Sequence, residues 1–257
     1  MRQKRSEKKS EGRDLLVGRN AIREALTAGR TLNKLWYLES GDQRLRQIVQ
    51  EVREAGVPVQ AVPAEQLARL APDLTHQGLV AEPAAKDYVE ALPYLQSLQE
   101  AGQQPLILIL DAIQDGHNLG AILRVADAAG IDLVVIGKHR SQALDARVAK
   151  ASAGAVEFVP VARVTNLSDF VLKIKERGFW VFGLAGEAAH DYRQISYRGS
   201  VALIIGNEGR GIAAKLKEHC DDLLSIPMAG RINSLNASVA AALVSFAALE
   251  DRQKGAQ

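Results

Sequence analysis

The chain has 257 residues, enough for one large domain or two modest ones, and is 47% hydrophobic and 24% charged, the balance of a globular protein. No apolar run reaches the about 18 residues that a membrane span needs, and the N-terminal MRQKRSEKKSEGR has no apolar segment behind its charges, so it is not read as a secretory signal. The single cysteine, Cys220, excludes an internal disulfide framework and points to a cytoplasmic setting; it lies in the charged stretch EHCDD, where nothing marks a reactive thiol.

The net charge of +2 is unevenly spread. Residues 1–13 hold Arg2, Lys4, Arg5, Lys8, Lys9 and Arg13 against Glu7 and Glu11, which leaves the rest of the chain slightly acidic. This segment is expected to be a disordered basic tail, either touching a phosphate backbone or solvated without a partner.

From Leu15 to Glu82 the pattern alternates. GRNAIREALTAG places Ala21, Ile22, Ala25 and Leu26 on one helical face, with Gly29 closing the helix. KLWYLE is strand-like, LRQIVQEVREAG is a second amphipathic helix, VPVQAV a short strand, AEQLARLA a short helix and QGLVAEP a last strand. These elements form a small α/β domain over residues 14–82. Residues 83–104 are mixed, polar and partly helical, and read as a linker.

From residue 105 to 257 the texture changes. PLILIL, LVVIG, VEFVPV, FWVFGL, VALIIG and LLSIPM are short apolar runs separated by helical stretches, and a final helix runs from about Leu235 to Gln253. Continuous apolar strands alternating with helices predict a parallel sheet covered on both faces, an α/β fold. Ligands of such sheets sit beyond the carboxyl ends of the strands, where three polar clusters fall. In LDAIQDGHNLGAILRVADAAG, Asn118, Gly120 and Arg124 are spaced N-x-G-x-x-x-R. Asn118 is placed to cap the helix, and Arg124 lies further along it, as a solvated side chain or a functional one. IIGNEGRGI packs Gly206, Gly209 and Gly211 around Asn207 and Glu208 directly after a buried strand. It lacks the Lys-Ser/Thr ending of a phosphate loop and the glycine order of a dinucleotide fingerprint, which argues against a nucleotide-dependent oxidoreductase; a carboxylate beside a buried loop must be paired or useful. IPMAGRINSLNASVAAAL crowds Asn233, Ser234, Asn236 and Ser238 against an apolar helix.

Taken together and in this order, N-x-G-x-x-x-R, G-x-E-G-x-G after a strand and I-P-M-x-G-x-x-x-S-L-N-x-S-V-A resemble the SpoU/TrmH family of SPOUT RNA methyltransferases over roughly residues 15–250. GRNAIREAL and THQGLVA are similar to the small L30e-like substrate-binding domain of the RlmB-type members, and LAGEA (184–188) to their strand-end loop. The resemblance implies a C-terminal trefoil-knotted domain, S-adenosyl-L-methionine as cofactor, no metal, a homodimer, and 2′-O-methylation of a guanosine in 23S rRNA, with neither DNA nor membrane as partner. It implies that Leu184, Gly206, Ile226, Met228 and Leu235 hold the cofactor and that Asn118, Arg124, Glu208, Ser234 and Asn236 form the catalytic set. The resemblance assigns proton removal to Arg124; an arginine, effectively always protonated, is equally suited to grip phosphate or stabilise a developing alkoxide. Asn233 and Ser238 are left as pocket residues or simple helix caps. Two positions depart from the family pattern: Gly116-His117 stands in the opening often written D-P-x-N, and Arg231 and Asn233 occupy variable places. The alternatives are the same chemistry on tRNA or another rRNA site, and an RNA-binding ribosome-assembly factor without activity.

Overall fold

A computed structural model describes residues 15–27, 30, 32–39, 42–72, 74–83, 88–231 and 234–255. The basic tail 1–13, Gly29 and Asn233, all named above, lie outside the described residues. The chain divides into two compact units, Met1–Lys86 and Asp87–Gln257.

In the first unit the order is β1 (Leu16–Val17), α1 (Arg19–Thr27), β2 (Leu32–Tyr37), α2 (Gln43–Glu54), β3 (Val59–Ala61), α3 (Ala64–Leu70) and β4 (Leu79–Pro83). The sheet order is β1-β4-β2-β3, parallel between β2 and β3 and antiparallel elsewhere. Helix α2 buries Leu45, Ile48, Val49 and Val52, an i, i+3, i+4, i+7 stripe. Asp42 starts it by accepting the backbone N–H groups of Arg44 and Leu45. The two sequence motifs of this unit meet: Gly18 donates its N–H to the Leu79 carbonyl at 3.1 Å, and Arg19 donates its backbone N–H to Gln77 Oε1 at 3.2 Å. Arg19 Nη2 also reaches Asp42 Oδ2 at 2.6 Å, and that hydrogen bond holds the carboxyl below its ordinary pKa. GRN and HQG therefore knit the start of α1 to the turn before β4.

The second unit begins with α4 (Ala91–Glu100), inside the stretch expected to be a linker. The stretch is more than a linker: Leu95 is fully buried in the core of this unit together with Ala91, while Gln96 and Glu100 are exposed on the helix's outer side. Then follow β5 (Leu106–Leu110), α5 (Gly116–Ala128), β6 (Leu133–Gly137), α6 (Ala146–Ala151), β7 (Val161–Val164), α7 (Leu167–Lys175), β8 (Trp180–Leu184), β9 (His190–Asp191), β10 (Val201–Ile205), α8 (Ala214–Lys217), β11 (Asp222–Ser225) and α9 (Ala237–Gly255). The seven strands pair in parallel in the order β7-β6-β5-β10-β8-β11-β9. Every residue of β5, β6 and β10 is buried, as a sheet covered on both faces requires. Ile107 and Ile109 pack with Leu95 of α4 and with Phe170, Val171 and Ile174 of α7. Each fully buried aliphatic side chain contributes about 1.5–3 kcal/mol relative to exposure. Helix α5 packs against α6 and α9.

Two local expectations change. Helix α5 is capped by Asp115, which accepts from His117 N at 2.6 Å and Asn118 N at 3.4 Å, not by Asn118, which already lies inside the helix. In VEFVPV only Val161 is strand; Ala155–Glu157 form a turn of 3₁₀ helix following the positive-φ pair Ala153 and Gly154, and β7 starts after Pro160.

Candidate active site

Because all seven strands of the second unit run the same way, their carboxyl ends share one edge of the sheet. The ends of β8, β10 and β11 open into a cavity of about 610 Å³. Its walls include Leu184, Gly206, Ile226, Met228 and Leu235, so all five expected cofactor residues come together. Leu184, Ile226 and Leu235 are half-buried and Met228 is 37% exposed, which gives the cavity apolar surface at its mouth as well as inside. A volume of a few hundred cubic ångströms that sets apolar side chains beside Glu187, Asn207, Glu208, Arg210, Lys217 and Ser234 suits a small organic ligand carrying polar groups of its own.

The glycine after β10 has a steric reason. A Cβ on Gly206 would lie 2.2 Å from the carbonyl carbon of Gly211 and 2.4 Å from the nitrogen of Ile212. The loop folds back so tightly that only a bare backbone fits there. Asn207 holds it closed: its N–H and carbonyl exchange hydrogen bonds with Gly211 (3.2 and 2.7 Å), its Oδ1 accepts from Gly209 N at 3.0 Å, and its Nδ2 donates to the Ala112 carbonyl at 3.1 Å. Ala112 has φ +57°, a strained value for a residue with a side chain. Asp111, just before it, accepts Ala213 N at 2.8 Å. The loop after β5 is thus tied twice to the loop after β10. Asn207 was not among the expected site residues although it stands in the quoted glycine cluster.

Three of the expected catalytic residues converge. Asn236 Nδ2 donates to Asn118 Oδ1 at 2.9 Å and to Glu208 Oε2 at 3.3 Å. Asn236 Oδ1 in turn accepts Ser238 N at 2.9 Å and Ser238 Oγ at 2.6 Å, so Asn236 is also the N-cap of α9. Ser238 therefore serves the cap. Glu208 and Ser234 line the cavity, whereas Asn118 and Asn236 stand behind that rim. Arg124 is exposed on α5, lines no cavity and makes no hydrogen bond or ion pair with the described residues. Within one chain it is not brought to Asn118, Glu208 or Asn236.

Gly120, the middle residue of the first motif, has a packing role: its Cβ would come 2.4 Å from the Ala151 Cβ, so its absence lets α5 lie against α6. Two charged residues at the cavity escaped the sequence reading. Lys217 donates to Glu187 from the opposite wall, and this hydrogen bond holds the Glu187 carboxyl below its ordinary pKa. Nothing in their spacing, thirty residues apart, announces the pair. Cys220 is half-buried behind β8, and burial pushes its thiol up to about 11, which makes it unreactive at neutral pH. Among the described residues no cluster of histidine, cysteine, aspartate and glutamate could hold a metal, and no helix is long and apolar enough to cross a membrane.

Residues 105–246 match the SpoU rRNA Methylase family, and residues 15–89 match the RNA 2′-O ribose methyltransferase substrate binding family. The chain is 43% identical to a TrmH family tRNA/rRNA methyltransferase of Staphylococcus haemolyticus, over 93% of this chain and 96% of that one. It is likewise 43% identical to the TrmH family tRNA/rRNA methyltransferase YacO of Bacillus subtilis, over 92% and 95% of the two chains. Among solved structures, the AdoMet-bound rRNA methyltransferase of Sinorhizobium meliloti superposes with a TM-score of 0.78 at 26% identity, covering 92% of this chain and 87% of that one. The TrmH/SpoU tRNA modifying enzyme of A. aeolicus, 26% identical, superposes with a TM-score of 0.54 over 64% of this chain and 87% of its own.

Proposed function

Since the chain belongs to the SpoU rRNA methylase family, we propose that it methylates the ribose 2′-hydroxyl of a guanosine in 23S rRNA, using S-adenosyl-L-methionine. RNA 2′-O-methylation is the chemistry of the family to which the chain belongs; the guanosine and the 23S rRNA are our reading. The observation that carries it is the cavity at the ends of β8, β10 and β11, with Asn236 joining Asn118 to Glu208 at its rim.

The cavity fits the cofactor on its own terms. Leu184, Ile226, Met228 and Leu235 offer apolar surface to an adenosyl group, and the bare backbone at Gly206 lets a ligand lie directly on the loop. When bound, the cofactor supplies a methyl group already activated on sulfur. What the protein must do is hold a ribose hydroxyl in line with it and exclude water. Asn118 and Asn236 are neutral and locked to each other, so they orient polar groups without adding net charge. Ser234 lies on the same wall. Glu208 accepts a hydrogen bond from the Asn236 amide and thereby fixes the amide orientation. Arg124, without a partner among the described residues, is the group for a developing alkoxide or a neighbouring phosphate, and it would reach the reaction where a partner subunit's cavity meets α5.

That geometry calls for a homodimer. Helix α9 supports it: Ala241, Val244 and Ala248 are buried within the chain while Val239, Leu243 and Phe246 leave an apolar stripe outside, 46%, 37% and 46% exposed. The return of the chain from β10 through β11 to α9, with β10 seated between β5 and β8, supports the trefoil-knotted arrangement. Residues 14–82 would select the RNA and residues 1–13 add non-specific phosphate contact in the cytoplasm. The rRNA reading is favoured over tRNA because the superposition on the rRNA methyltransferase of S. meliloti covers 92% of this chain, against 64% for the tRNA modifying enzyme of A. aeolicus.

The test is to map 2′-O-methyl positions in total RNA from cells with and without the gene. Loss of one guanosine mark in 23S rRNA is expected. Loss of a tRNA mark would overturn the rRNA target, and an unchanged map would overturn the enzyme reading.

A further inference from the structure

A second cavity, of about 780 Å³, lies on the same edge of the sheet, beyond β6 and β7. It shares no residue with the first. Neighbouring strands are about 4.8 Å apart, so the ends of β6 and β7 stand about 5 and about 10 Å along the sheet from the end of β5, which leads to Asn118.

Its chemistry is specific. Lys138, the first residue after β6, Arg163 of β7 and Lys173 of α7 supply three cations, and His139 adds a ring. Arg163 is pre-organised: its Nη2 donates to the Lys138 carbonyl at 3.0 Å, and its guanidinium lies 5.1 Å from the Tyr88 ring centroid. Tyr88 is itself pinned by Leu144 N, which donates to its hydroxyl at 3.2 Å. The Arg163 Nε is buried without an acceptor among the described residues, although such a group costs about 1–3 kcal/mol unpaired. Two carboxylates, Glu90 and Asp169, share the lining. A site for bare phosphate would not hold them. A nucleotide would use both signs: its phosphate meets Lys138, Arg163 and Lys173, and the amino edge of its base donates to a carboxylate. The volume is that of a nucleotide and not of a small anion.

We infer that this cavity is a docking subsite for a nucleotide of the RNA strand neighbouring the one that is methylated. The inference rests on the RNA methyltransferase reading above. It makes the catalytic unit itself, and not only residues 14–82, a reader of the substrate.

The experiment measures transfer of labelled methyl groups into total RNA from cells lacking the gene, with full-length protein, across salt concentrations. The variant is the double substitution Lys138→Gln and Lys173→Gln, both exposed and so tolerated by the fold. Arg177→Gln, an exposed cation outside both cavities, is the control. The double variant is expected to raise KM for RNA about tenfold with kcat within about twofold, to leave cofactor affinity unchanged, and to flatten the salt slope of binding by about 0.7, the share of one phosphate of a single strand. An unchanged KM and slope in an active enzyme would overturn the subsite alone, as would an equal loss in Arg177→Gln. Wild-type protein that methylates no RNA would instead overturn the functional reading.

Discussion

The amide of Asn236 donates to the side-chain oxygen of Asn118 at 2.9 Å, joining the cap of α9 to the first turn of α5. This bond unites the first and last of the three polar clusters, and Glu208 of the middle one accepts from the same amide. Asn236 therefore carries two separable duties. Its Oδ1 caps a helix, and its Nδ2 ties the site together. Asn236→Asp keeps the acceptor and removes the donor. It should leave the melting temperature within a few degrees of wild type and lower kcat by about tenfold or more. Asn236→Ala removes both and should also cost about 1 kcal/mol of stability, the usual worth of a cap. Denaturation and single-turnover methylation on both variants check this; equal activity in Asn236→Asp and wild type would release Asn236 from the site.

Arg124 presents the opposite case, a side chain that no hydrogen bond or ion pair holds among the described residues. Arg124→Ala should therefore leave the melting temperature unchanged. It should reduce methyl transfer by about a hundredfold or more while S-adenosylmethionine binds within about threefold of wild type, as read by calorimetry. Near-normal transfer would remove it from the catalytic set.

Two of the three glycines of the loop after β10 separate sterics from composition. A methyl group at Gly206 has no room beside Gly211, whereas one at Gly209 meets only Asn207 Oδ1 at 3.6 Å, an ordinary contact. Gly206→Ala should displace the loop and weaken cofactor affinity by about tenfold or more. Gly209→Ala should change it by less than about twofold. Calorimetric titration with S-adenosylmethionine measures both, and a reversed order would mean that the loop is not the cofactor's seat.

Much of this was legible because the strands are apolar throughout and the clusters fall directly after them. The parallel sheet and the two-unit division follow from such local signals, and the five cavity residues from the resemblance to the SpoU/TrmH family. What escaped is tertiary. Asp115 and Asn118 are both good caps two turns before Arg124, and sequence cannot choose between them; the fold spends Asp115 on the helix and so leaves the Asn118 side chain to Asn236. That α4 belongs to the core was hidden because Leu95 does its burying amid polar neighbours. The Glu187–Lys217 pair and the Arg163–Tyr88 stack join residues whose separation follows no period.

Cys220 gives a prediction with a definite sign. Burial lifts the folded thiol from 9.0 to about 11, so in the folded state it stays protonated where an unfolded chain would ionise. That difference stabilises nothing extra below pH 9; between about 9 and 11 the unfolded state alone releases the proton, and stability falls. Iodoacetamide at pH 8 should therefore label native protein far more slowly than urea-unfolded protein. The fall in melting temperature from pH 9 to 11 should be shallower in Cys220→Ala. Labelling of native protein at the rate of a free thiol would show the thiol to be exposed and activated.

Helix α9 is apolar on two sides, and a helix of that kind needs two partners. Its inner side has one in the sheet and α5, through Ala241, Val244 and Ala248. Its outer side, Val239, Leu243 and Phe246, recurs at steps of four and three residues and so forms a single stripe. An aromatic flanked by aliphatics is the usual centre of a protein interface. Exposed apolar surface of this shape marks an interaction site. Leu243→Glu with Phe246→Glu should therefore yield a folded monomer by light scattering and circular dichroism, since neither side chain belongs to the chain's own core. Because Arg124 has no partner among the described residues of its own chain, the monomer should also lose methyl transfer while keeping a measurable affinity for S-adenosylmethionine. A double variant that stays dimeric, or a monomer that methylates at the wild-type rate, would detach Arg124 from a neighbouring subunit and return its partner to the same chain.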